Sequence, residues 1–95
     1  MPHRPEAVLD VPERSRYELR LDDEVVGVVV YRREGDVLEL LHTEIDPGHE
    51  GAGLGGRIAR GVLDDIRRRG LAVRPSCPFV SAWMARHPDY DDLVA

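Results

Sequence analysis

The chain has 95 residues, 13 basic and 18 acidic, with a formal net charge of −5; this length makes one domain with a small core, and the acidic balance argues against a nucleic-acid binder, which needs a dominant basic surface. The single cysteine, Cys77, excludes an internal disulfide and any multi-cysteine metal site. No apolar run approaches the roughly 20 residues of a membrane span, and the N-terminus lacks the apolar stretch of a signal peptide, so the default expectation is a cytoplasmic protein with no membrane partner.

Residues 1–14 hold three prolines and many charges without periodicity, which predicts a flexible arm or a leading strand, with one domain over residues 15–95. Tyr17, Leu19 and Leu21 alternate with charged neighbours, the period of a half-buried strand over 15–21. Residues 24–33 are apolar on both faces from Val25 to Tyr31, which predicts a central strand; its β-branched run suits a strand better than a helix. Gly35 and Asp36 supply a hairpin turn, and residues 37–45 read as the third strand.

The loop "DPGHEGAG" breaks the strand pattern. Leu54, Ile58, Val62 and Ile66 then recur every fourth residue, widened by Ala59 and Leu63, as one face of an amphipathic helix over 54–69. Asp64 with Arg68 and Asp65 with Arg69 are spaced as ion pairs on its outer face, and Gly70 is a suitable C-terminal cap. Residues 71–74 read as a short strand. A second helix follows, with Pro78 in its permitted first turn and His87-Pro88 at its end. The predicted order is β-β-β-α-β-α, in a mixed, mostly antiparallel sheet of the α/β (α+β) class.

Four glycines within positions 51–56 satisfy the spacing of a dinucleotide-binding turn. The context excludes that reading. A loop containing Pro47 separates the strand from the glycines, three strands precede the crossover, and Val73-Arg74-Pro75-Ser76 stands where the ribose-binding acid belongs. A P-loop is excluded by the absence of Gly-Lys-Ser/Thr. What remains is a glycine loop whose backbone can approach a ligand closely. It opens a helix with unpaired N–H groups at its positive end, a site for a pyrophosphate. Arg57 in the first turn adds a charge-assisted contact or is simply solvated.

On these residues the chain resembles the GNAT superfamily of acyl-coenzyme A-dependent N-acyltransferases, whose signature is Gln/Arg-x-x-Gly-x-Gly/Ala between a strand and a helix. The resemblance is sharper to the compact yjdJ-type N-acetyltransferase-like proteins and runs through "EIDPGHEGAGLGGRIARGVLDDIRRRGLAVRPSCPFVSAWMARHPDYDDLV", residues 44–94. It implies a minimal GNAT fold: a twisted sheet splayed between the strand ending at Ile45 and the strand ending near Arg74, with acetyl-coenzyme A in the opening. The pyrophosphate would rest on Gly51, Ala52, Gly53, Leu54, Gly55 and Gly56, and the pantetheine amides would pair with the strand edge at Thr43 and Ile45. Glu50 departs from the pattern, because a carboxylate repels a pyrophosphate.

Acyl transfer needs a base for the acceptor ammonium and an acid for the leaving thiolate. Cys77 precedes Pro78 at a helix start, a placement that favours thiolate. Beside the thioester implied by the resemblance it is a nucleophile, an acid, or a small buried residue lining the pantetheine arm. His42 and Glu44 share one face of the third strand and are candidate bases, or an edge-exposed polar pair. Arg86 and His87, at the end of the last helix, are candidates for coenzyme phosphates. Tyr90 packs the C-terminus or supplies a hydroxyl acid. Phe79 and Trp83 are helix-spaced and expected in the core. His3 and His49 lie in loops without ligand spacing, so no metal site is expected. The implied activity is acetyl transfer to a primary amine of a protein lysine, peptide or small molecule, by a monomer or weak homodimer. The alternative is a non-catalytic acyl-coenzyme A-binding sensor or accessory domain, favoured by the absence of predicted helices ahead of the first strand.

Overall fold

The computed structural model describes residues 6–49 and 53–95. Five strands form one sheet in sequence order: β1 (Glu6–Val11), β2 (Arg16–Leu21), β3 (Glu24–Glu34), β4 (Val37–Ile45) and β5 (Ala72–Pro75). The first four pair antiparallel, and β5 joins β4 in parallel through the crossover helix α1 (Leu54–Arg68). Helix α2 (Pro78–Ala85) and a 3-10 segment at Pro88–Leu93 complete the chain. Of the two readings of the leader, the described part is a strand. Val8 sits opposite Leu19 in the ladder and packs against α1 at Gly61, where a Cβ would lie 2.5 Å from its Cγ2.

Strand β3 takes the centre of the sheet, as its apolar run predicts, but helices cover only one of its faces. Val29 and Tyr31 are buried beneath the helices, whereas Val28 and Val30 on the other face are half-buried. On that helix-free face Glu18 is nevertheless only 2 % exposed. The side chains of Arg20 (2.6 and 3.0 Å) and Arg16 (2.9 Å) close over its carboxylate. Hydrogen bonds from Arg20 and then Arg16 outweigh the burial and hold this carboxyl below the usual glutamate range. A depressed folded-state value contributes stability above the unfolded range, near pH 4, that is lost as pH falls through the folded value. The urea midpoints of wild type and Glu18→Gln should therefore differ most at pH 7 and converge in acid; a difference that stays constant with pH would sink this account.

Helix α1 buries the stripe its spacing predicts: Leu54, Ile58, Ala59, Val62, Leu63 and Ile66. It ends in a Schellman motif, with Gly70 at φ +70°, its N–H bonded to Arg67 O (3.1 Å) and the Leu71 N–H to Ile66 O (3.0 Å). Of the two expected ion pairs, Asp65 with Arg69 forms and Asp64 with Arg68 does not. Asp65 pairs with Arg69 at 3.1 Å and also with Arg68, and it accepts from the Tyr17 hydroxyl at 2.6 Å. Asp64 instead accepts from the Tyr90 hydroxyl at 2.6 Å. Tertiary partners thus claim carboxylates that local spacing assigns to the helix surface. Among the described residues, no helix is long and apolar enough to cross a membrane.

Two features of β4 shape the region beyond it. Tyr31 pairs with Leu40 and Val30 with His42, leaving Leu41 as an extra residue in a bulge. Leu38 and Leu40 face the core before the bulge, and the inward positions after it become Thr43 and Ile45. Meanwhile β5 pairs only with residues 37–40 of β4 and ends at Pro75, which has no N–H to continue the ladder. After the Cys77 N–H bonds Leu40 O at 2.8 Å, the chain turns into α2. The last residues of β4 are left without a neighbour on that edge, and the sheet opens.

Candidate functional site

The opening is a cleft of about 670 Å³. Thr43 and Ile45 of β4 form one wall, and Phe79, Trp83 and Arg86 of α2 and its C-terminal end form the other. The start of α1, from Gly53 to Gly56, closes the end, with His49 from the preceding 3-10 turn beside it. Gly53 caps the helix at φ +75°, with no side-chain cap hydrogen bond among the described residues. The first helical bond runs from Arg57 N–H to Gly53 O (3.3 Å), so the amides of Leu54, Gly55 and Gly56 precede the ladder. Free amides at the positive end of a 15-residue helix form an anion site.

The glycines also serve packing. A Cβ on Gly55 would lie 2.6 Å from Phe79 Cζ, and one on Gly56 3.3 Å from Trp83 Nε1. Thus α2 lies directly against the first turn of α1. Phe79, expected in the core, is 40 % exposed on the cleft wall, whereas Trp83 is buried. Trp83 stacks on His87 with centroids 3.7 Å apart and lies under the Arg60 guanidinium at 5.2 Å.

The structure brings Thr43, Ile45, Gly53, Leu54, Gly55, Gly56 and Arg86 together in the cleft. Gly51 and Ala52, with Glu50, lie outside the described residues. Arg57 turns away and pairs with Glu6 at 3.2 Å. His87 stands behind Trp83, with Nδ1 2.7 Å from the Trp83 carbonyl oxygen. Cys77 is buried, with Sγ 3.2 Å from Thr43 Oγ1, one layer behind the cleft wall. His42 and Glu44 are exposed on the opposite face of β4, with Nε2 and Oε1 3.5 Å apart. A second cavity, about 570 Å³, at the end of β3 and β4 is lined by Glu44 and Asp46 and shares Thr43 and Ile45 with the cleft. Tyr90 is buried away from both cavities, and burial together with the Asp64 carboxylate raises its phenol. Among the described residues no group of three or more His, Cys, Asp or Glu side chains is placed to hold a metal ion.

Three residues of the cleft, Phe79, Trp83 and His49, were not legible as site residues in sequence; Trp83, like Phe79, read as core. Phe79 has ordinary core spacing and no other signal. His49 stands four residues before Gly53 in a loop, and only the fold brings it to the cleft, its Nδ1 buried and without a hydrogen-bond partner among the described residues.

The GCN5-related N-acetyl-transferase family model matches residues 16–93. Among solved structures, the chain is similar to a GCN5-like protein of Staphylococcus aureus assigned as an N-acetyltransferase, with TM-score 0.65 and 16 % identity over 93 % of this chain and 86 % of that one. It is also similar to the ribosomal-protein-S18-alanine N-acetyltransferase of Escherichia coli, with TM-score 0.56 and 20 % identity over 74 % of this chain and 42 % of that one. At these identities the likeness is one of fold. No curated protein matches the chain in sequence. With the family match spanning most of its length, from β2 to the C-terminal 3-10 segment, the chain belongs to the GCN5-related N-acetyltransferase family.

Proposed function

We propose that this acetyltransferase, a compact member of the yjdJ type, uses acetyl-coenzyme A bound in the β4–β5 opening and transfers its acetyl group to a primary amine. The observation that carries the reading is the uncapped start of α1, whose amides face a cleft walled by the unpaired edge of β4. Those groups suit the donor's parts. Leu54, Gly55 and Gly56 amides take the pyrophosphate, Arg86 adds charge, and the open edge at Thr43 and Ile45 takes the pantetheine amides. The coenzyme supplies the acetyl group as an activated thioester.

The acceptor approaches from the helix-free face, where Glu44 lines a cavity that meets the cleft at Thr43 and Ile45. An ammonium there meets the Glu44 and Asp46 carboxylates, and Glu44, with His42 beside it, accepts its proton so that the free amine attacks. The position of Cys77 supports direct transfer. Its thiol lies behind Thr43, and a nucleophile must reach the thioester carbon.

Coenzyme A release with a panel of peptides and polyamines tests the activity, and the mass of the intact protein after incubation with acetyl-coenzyme A tests the route. The expected result is release with at least one amine and no acetyl adduct, with Cys77→Ala keeping activity within about threefold (about 0.7 kcal/mol). An adduct that vanishes in Cys77→Ala would establish a covalent route instead. Tight coenzyme binding without turnover on any amine would favour an accessory binding domain.

A further inference from the structure

Resting on the coenzyme-binding reading of the cleft, we propose that His49 is its cationic ligand for the pyrophosphate, held in place by Asp46. Two phosphates bring two negative charges to the start of α1. Among the described residues lining the cleft, only Arg86 and His49 can carry a positive charge. Arg57, the cation nearest in sequence to the glycines, is paired with Glu6 at 3.2 Å, and position 50 is a glutamate. The imidazole is therefore the cation placed beside the helix start by its own turn.

The turn is built to hold that ring. Asp46 is anchored to β3 by its N–H bond to Val26 O (2.8 Å), and its carbonyl accepts the His49 N–H at 2.8 Å. One carboxylate oxygen accepts from the Gly48 N–H at 3.0 Å, and the other stands 3.7 Å from His49 Nδ1. That gap is too long for a hydrogen bond, and Nδ1 is buried without a partner among the described residues. A neutral ring has one N–H to share, whereas the imidazolium donates from both nitrogens. Protonation lets Nδ1–H close on Asp46 while Nε2–H serves a phosphate oxygen. Among the described residues, the charged groups that share the turn or the cleft with the ring are Asp46 and, from the end of α2, Arg86.

The sign of the pH dependence follows. Binding draws on the protonated ring, so affinity is greatest in mild acid and falls as the imidazole loses its charge. The test uses 3′-dephospho-coenzyme A, whose pyrophosphate stays fully ionised between pH 5.5 and 8.5, with coenzyme A and pantetheine for comparison. Dissociation constants are measured for wild type, His49→Gln, Asp46→Asn and Arg86→Ala. Wild type should lose about tenfold in affinity for the dephospho compound across this range, the scale of one charge-assisted hydrogen bond. His49→Gln should bind at the weak level throughout, Asp46→Asn should flatten the profile, and Arg86→Ala should weaken binding equally at every pH. A flat wild-type profile, or an unchanged one in His49→Gln, overturns the role of His49 while leaving the coenzyme site standing. An effect of His49→Gln on coenzyme A alone would move the contact to the 3′-phosphate and overturn the pyrophosphate assignment. Failure of coenzyme A itself to bind would instead overturn the reading of the cleft.

Discussion

Gly55→Val should weaken coenzyme A binding by about a hundredfold, equivalent to about 2.7 kcal/mol, while leaving the fold in place. A Cβ at this position would stand 2.6 Å from Phe79 Cζ and within 3.4 Å of both Cε atoms. Phe79 is 40 % exposed, so its ring can swing aside instead of forcing the helices apart. The space into which it swings is the cleft, and the valine branches cover the amides that the ligand needs. The stability change should stay near 1 kcal/mol, because the better helix propensity of valine over glycine offsets part of the clash. Trp83, the single tryptophan and part of the cleft wall, supplies the fluorescence signal for the titration. Wild-type affinity in Gly55→Val would mean that the phosphates rest elsewhere.

Trp83→Ala should cost about 3–5 kcal/mol of stability, the range for truncating a large buried aromatic. The ring is 5 % exposed and stacked on His87, and it lies 5.6 Å from the Tyr90 ring and under Arg60. Its indole also meets α1 where Gly56 leaves room. For a domain whose total stability is of the order of 5–15 kcal/mol, this loss is a large fraction. Urea unfolding followed by circular dichroism measures it, and Trp83→Phe should recover more than half by keeping a ring in the stack. A cost under about 1 kcal/mol would show that α2 is held by its other contacts. The residue serves two ends at once: its faces join α2 to α1 and the C-terminal segment, while its edge lines the cleft.

Much of this architecture is local and was readable from the order of residues. The apolar repeat from Leu54 to Ile66 names the buried face of α1 residue by residue, because a helix repeats every 3.6 residues whatever it packs against. Gly70 announces the helix end, since the left-handed cap is open to few other residues. The four glycines mark a backbone that must approach something, and the lack of an acidic residue near Arg74 removes the dinucleotide alternative.

The functional faces of β4 were not readable in that way. Alternation alone puts His42 and Glu44 on the face of Leu38 and Leu40, beneath the helices. The bulge at Leu41 reverses the alternation, sending that pair outward and turning Thr43 and Ile45 into the cleft. A bulge depends on how two strands distant in sequence register with each other, and no residue near Leu41 signals it. Similarly, helix spacing cannot tell Phe79 from Trp83. The difference arises because Trp83 packs between Gly56, His87 and Tyr90, whereas Phe79 lies over Gly55 at the rim. Side-chain direction at Arg57 and His49 follows the same rule. Nothing beside a first-turn arginine signals that β1 will offer it Glu6, and nothing beside a loop histidine that the chain will fold it over Asp46. Periodicity and caps are properties of a short segment. Which groups converge on a cleft depends on strand register and helix crossing, and these are settled only when segments far apart in the chain pack together.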